Sequence, residues 1–158
     1  MSYITNKYNY EFSYPSKNIP DWSSLVDRWY QLDAHSFGLA DFYWKHKDIL
    51  INKPGIIILT SDTGSLEADL QFVKIFSPTK FVYTLPNVRS SALCQVMNWH
   101  GPILCVQQPP TCLESGILEA TSWAVNEHGC TWVIDVKDRE IGKYVVQFIE
   151  LSYKETNE

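Results

Sequence analysis

In the stretch YNYEFSYP the aromatic side chains Tyr8, Tyr10, Phe12 and Tyr14 alternate with polar neighbours. This period of two predicts a strand with one aromatic face, closed by Pro15. Asp21 then stands in a capping position ahead of WSSLVDRWYQL, which reads as a helix. SFGLADFYWKH reads as a second, short and aromatic-dense helix, and Asn52-Lys53-Pro54-Gly55 breaks the pattern before it.

The pattern changes at GIIILTS, a bounded, β-branched apolar run of the kind buried on both faces of a parallel sheet. DTGSLEADLQFVKIF follows with Leu66, Leu70 and Val73 at helical spacing, which makes a strand, turn and helix unit ended by Pro78. Asn87 is placed to cap a third helix in which Ala92, Leu93, Val96 and Met97 share a face, and Gly101-Pro102 stops it. ILCVQ is the next strand. Thr111 and Glu114 form a capping box for the helix CLESGILEATSWAVNEH, which Gly129 ends. TWVIDVKD and YVVQFIELSY read as two strands joined around Gly142, an antiparallel edge on an otherwise parallel sheet. The order of elements predicts an α/β fold with a mixed, mostly parallel sheet flanked by helices, in one domain spanning 1–158.

At 158 residues, 45% of them hydrophobic, the chain can bury one substantial core. Thirteen basic against eighteen acidic residues leave a net charge of -5, with no Lys/Arg stripe to neutralise a phosphate backbone, so nucleic acid is excluded as a partner. The longest apolar run, GIIIL, is too short to span a bilayer, and MSYITNKYNY has no signal-peptide pattern, so a cytoplasmic protein is expected. Cys94, Cys105, Cys112 and Cys130 contain no CxxC pair, so they are expected to be free thiols rather than metal ligands or a disulfide framework.

Four stretches in order carry a family resemblance: GIIILTSDTGSLEADLQF, FSPTKFVYTLPNVRSSALCQVMNWHGP, ILCVQQPPTCLESGILEATSWA and TWVIDVKD. Together they resemble the N-terminal half of a β-ketoacyl synthase, with the resemblance strongest over 55–158. They are most similar to the small ketoacyl synthase N-terminal-like, or chain-length-factor-like, proteins found beside polyene-type synthases. The resemblance implies half of a thiolase-type fold and no cofactor.

In that family an active cysteine sits where the strand ILCVQ meets the next helix, whose dipole and free N–H groups steady a thiolate. Counted from Gly101-Pro102 without a gap, the family position falls on Pro110, with Cys112 two residues later. Condensation also needs two basic side chains from the C-terminal half, which this sequence ends before reaching. His100 and His128 are present, but the helix separates Cys112 from His128 by several turns. The expectation is therefore no catalytic residue, with Cys112 the candidate nucleophile if one exists.

DTGS at 62–65 copies the short aspartic-protease signature, yet one copy followed by a helix reads better as a capped turn. Neither a Walker lysine nor GxGxxG supports phosphate binding. Six tryptophans read as core and interface, and Asp135, Asp138 and Glu140 as a solvated turn.

The resemblance thus implies a non-catalytic, chain-length-factor-like subunit of fatty acid, polyketide or aryl-polyene-type biosynthesis. It would form a heterodimer with a ketosynthase subunit and meet acyl carrier protein through that complex. Cys105, Gln107, Gln108, Pro109, Pro110, Thr111, Cys112, Phe81, Trp99 and Trp123 are the candidates for its interface or tunnel wall. Two alternatives stand beside it: a minimal acyltransferase or thioesterase using Cys112, and a self-associating binding or scaffold module.

Overall fold

The computed structural model describes residues 2–60, 70, 72–75, 86–106, 116–117 and 130–153. Its centre is a five-stranded sheet of β1 (Ser2–Ser13), β2 (Ile56–Thr60), β3 (Ile103–Val106), β4 (Cys130–Glu140) and β5 (Lys143–Tyr153), in the order β1-β5-β4-β2-β3. β2 runs parallel to both β3 and β4, while β5 runs antiparallel to both β4 and β1. The sheet is mixed, as expected. The β4–β5 hairpin does not form its edge, however, because β1 returns to cover β5 and becomes the edge itself.

The elements follow from local chemistry. All five residues of β2 are buried, as a continuous β-branched run between two parallel neighbours requires. In β1, Tyr8, Tyr10 and Phe12 face the core while Lys7, Asn9, Glu11 and Ser13 are exposed, so the period of two is realised. Gly142 turns the hairpin with φ +76°, a conformation that favours glycine.

Helix α1 (Ala34–His46) starts at Asp33, whose carboxylate accepts from the backbone N–H of both His35 and Ser36. It begins two residues before the expected stretch. Ala34 to Phe42 are all buried, which is why its apolar pattern shows no clean stripe. Helix α2 (Ser90–Met97) buries Ala92, Leu93, Val96 and Met97 as predicted. A 3₁₀ turn over Pro86–Arg89 leads into it, so Asn87 is not its cap, and Asn98 in the left-handed region ends it before Gly101.

The segment read as a helix from Trp22 to Leu32 is instead two 3₁₀ turns, Ser23–Leu25 and Trp29–Gln31, separated by Arg28 at φ 53°. Tertiary contacts override its pattern: Trp22 is fully buried, lies 5.3 Å from Phe37 ring to ring, and donates its Nε1–H to Asp41. The helix of DTGSLEADLQFVKIF and the capping box at Thr111 lie largely outside the described residues.

The two helices cover one face of the sheet, over a core that includes Phe12, Ile57, Leu59, Trp132, Ile134 and Phe148. The opposite face carries a second cluster, Ile58, Val133, Ile149 and Leu151, against which Leu104, Val106 and Ile117 pack. Where α1 crosses β1, a Cβ on Gly38 would overlap the Phe12 ring. Glycine here sets the separation between helix and sheet.

Gly38→Val is expected to lower stability by about 1–3 kcal/mol, the usual cost of forcing volume into a packed core. Urea denaturation of the two proteins measures it, and an unchanged midpoint would contradict this packing.

Candidate functional site: the β3 edge and its surroundings

β3 ends the sheet on the side of the parallel strands. The backbone N–H of Ile57 donates to Pro102 O at 3.2 Å, and Ile57 pairs with Ile103, which fixes the phase of this parallel ladder. Leu104 and Val106 therefore turn their N–H groups to β2, while Ile103 and Cys105 turn theirs away. All four side chains are half-buried: Ile103 and Cys105 lie on the α2 side, Leu104 and Val106 on the other. The result is a short apolar edge without a pairing strand among the described residues.

Cys105 is the expected interface residue that the structure places on this edge. Burial pushes its thiol pKa up, and the charge of Arg89, buried at the start of α2, opposes that shift without reversing it. Burial likewise raises Cys94. Cys130 is pushed up to about 11, first by burial and then by the charge of Glu150. Each of these shifts favours the protonated thiol over the nucleophilic thiolate.

Trp99 is buried behind the edge, in the core with α2, and donates its Nε1–H to Pro54 O at 3.3 Å. His100 is exposed at the end of α2. Phe81, Gln107, Gln108, Pro109, Pro110, Thr111, Cys112, Trp123 and His128 lie outside the described residues, as does the DTGS stretch.

Asp135, Asp138 and Glu140 do not form one solvated turn. Asp135 sits within β4 with no exposed surface, and Lys137 Nζ lies 3.7 Å from its Oδ2. Asp138 Oδ1 lies 2.7 Å from Nε2 of the buried His35, tying the start of α1 to β4. Glu140 is exposed and pairs with Lys143 at 3.7 Å.

Two polar clusters escaped the sequence reading. Asp41 accepts from Tyr10 Oη at 2.6 Å, Trp22 Nε1 at 3.1 Å and Lys45 Nζ at 3.1 Å, and Lys45 also donates to Tyr10 Oη at 2.7 Å. Glu150 is buried in β5, where its two oxygens accept from Asn6 Nδ2 at 2.9 Å and Trp132 Nε1 at 3.0 Å. The i,i+4 spacing of Asp41 and Lys45 was readable; the cross-strand partners needed the register.

No family model matches the chain, and no curated protein does. A solved structure does match: a ketosynthase (ApeO) in complex with its chain length factor (ApeC) from Xenorhabdus doucetiae, at 15% identity and a TM-score of 0.70. The similarity covers 96% of this chain and 79% of that one. The chain therefore shares its fold with a chain of that complex. No helix among the described residues is long and apolar enough to cross a membrane.

Burial, then the hydrogen bond to Asp41, raises the Tyr10 phenol to about 12. Folded Tyr10 and Cys130 thus hold protons that the unfolded chain releases earlier. Their contribution to stability is complete below the unfolded values of 10.0 for tyrosine and 9.0 for cysteine. It is lost as pH rises through the folded ones. Stability measured by urea titration is expected to fall from about pH 9 to pH 12. Cys130→Ala should flatten the lower part of that fall and Tyr10→Phe the upper part; an unaltered profile in both variants would refute the assignment.

Proposed function

We propose that the chain is a non-catalytic, chain-length-factor-like subunit that pairs with a ketosynthase. The observation that carries this reading is the β3 edge. Its outward backbone groups at Ile103 and Cys105 lack a strand among the described residues, and its side chains are apolar and half-buried on both faces. Such an edge is a template for a strand from another chain. The similar fold occurs in a complex between a ketosynthase and its chain length factor.

On this reading the segment after β3, Gln107 to Cys112, with Phe81 and Trp123, lines the contact or the acyl tunnel of the partner, while Trp99, buried in the core, supports the edge from behind and does not line it. The partner supplies the nucleophile and its basic residues, and acyl carrier protein approaches through the complex. The thiols of Cys94, Cys105 and Cys130, all raised in pKa, fit a subunit that takes no acyl group on them.

Co-expression with a ketosynthase from the same biosynthetic locus, with the tag on this chain alone, tests the proposal. A complex whose condensing activity survives Cys112→Ala is expected. Cys105→Pro removes an N–H that faces the open edge, which an edge strand tolerates, so it should leave the chain folded by circular dichroism and abolish co-purification. Acylation of the isolated chain at Cys112 by an acyl thioester, lost in Cys112→Ser, would overturn the reading in favour of an acyltransferase.

A further inference from the structure

The opposite edge of the sheet has a different chemistry. Tyr14 N–H donates to Gly142 O at 2.9 Å, and the pairing continues without a shift from Ser13↔Lys143 to Asn6↔Glu150. Residues 6, 8, 10 and 12 therefore exchange backbone hydrogen bonds with β5. The N–H and C=O groups of Lys7, Asn9, Glu11 and Ser13 point away from the sheet, and their side chains are exposed on the face opposite α1. Among the described residues, no ion pair engages Lys7 or Glu11, whose neighbours on β5 are Ile149 and Val145.

Lys7, Asn9 and Glu11 form a pattern that becomes its own complement when reversed. An antiparallel β1 from a second copy, centred on Asn9, sets Lys7 opposite the other copy's Glu11 and Glu11 opposite its Lys7. All three outward residues then fall in hydrogen-bonded pairs, as their backbone direction requires. On the helix side the same register sets Tyr10 opposite Tyr8, an aromatic cross-strand pair. On that side a cleft of about 340 Å³ separates Tyr10, Phe12 and Ser13 of β1 from Phe37, Asp41 and Trp44 of α1, and Ser16, Ile19 and Pro20 of the loop after β1 also line it.

We propose that β1 is a homodimerisation edge at which two copies pair antiparallel about a two-fold axis through Asn9. The interface is isologous, so each contact occurs twice. It is independent of the ketosynthase reading, because it uses the far edge of the sheet and leaves β3 free for another chain.

Sedimentation of the full chain tests it. A dimer that weakens with added salt is expected. Lys7→Glu or Glu11→Lys alone sets like charges across both pairs and should raise the dimer dissociation constant about tenfold. The double variant Lys7→Glu/Glu11→Lys restores both pairs and should return the constant to the starting value, although every side chain changed is exposed and unpaired within one copy. Asn9→Cys should give a disulfide-linked dimer on mild oxidation where the parent chain does not, since hydrogen-bonded antiparallel partners lie at about 5.5 Å between Cα atoms. A monomer at all concentrations, a dimer indifferent to the single reversals, or a double variant as weak as the single ones would each overturn the proposal.

Discussion

The reversal at Ile141-Gly142 fixes the register on which the rest of the sheet depends. Gly142 sits at φ +76°, and its carbonyl accepts the Tyr14 N–H, so one turn aligns β5 with β4 and with β1. A slip of one residue would transfer every side chain of β5 to the other face. In the observed register Phe148 stands 5.2 Å from Trp132 and 5.3 Å from Phe42, ring to ring, and Glu150 meets Trp132 and Asn6 together. The aromatic layer beneath α1 exists because that alignment holds.

Position, more than stability, is what the buried polar groups contribute. A carboxylate in a dry core costs free energy unless its oxygens are satisfied, and an apolar replacement often serves stability as well. Asp41 and Glu150 are satisfied only with helix and strands in one arrangement. Asp41 gathers Tyr10 from β1 and Trp22 from the preceding loop onto α1, while His35 and Asp138 fasten the start of the same helix to β4. With Gly38 against Phe12, these contacts hold α1 at one height and one angle across the sheet.

The elements legible in the sequence were those whose pattern is set by burial alone. β2 showed as an unbroken apolar run, the middle of β1 as alternating aromatics, and the face of α2 as Ala92, Leu93, Val96 and Met97. The stretch from Trp22 to Leu32 misled because its apolar residues serve tertiary contacts, with Trp22 drawn to Phe37 and Asp41 and Arg28 turned left-handed. Asp135 looked like part of a surface turn because acidic residues are seldom buried in a strand, while Asp138 is exposed as expected but meets His35, far away in the chain. Of the candidate site, the strand ILCVQ was legible, and the strand order then placed it at the sheet edge. The hidden part was the outward phase of Ile103 and Cys105, which depends on a hydrogen bond to Pro102.

An open sheet has two edges, and here they differ in how selective they are. β3 offers four apolar side chains and no charge, so its choice of partner must come from shape and from the segments around it. β1 carries a code in its exposed row. In the register centred on Asn9 both charges meet their opposites. Sliding one strand by two residues sets each charge against a neutral side chain, and sliding by four sets Lys7 against Lys7 or Glu11 against Glu11. Wrong registers thus lose attraction and then meet repulsion, which is how an exposed edge discriminates among strands while its backbone alone would accept any.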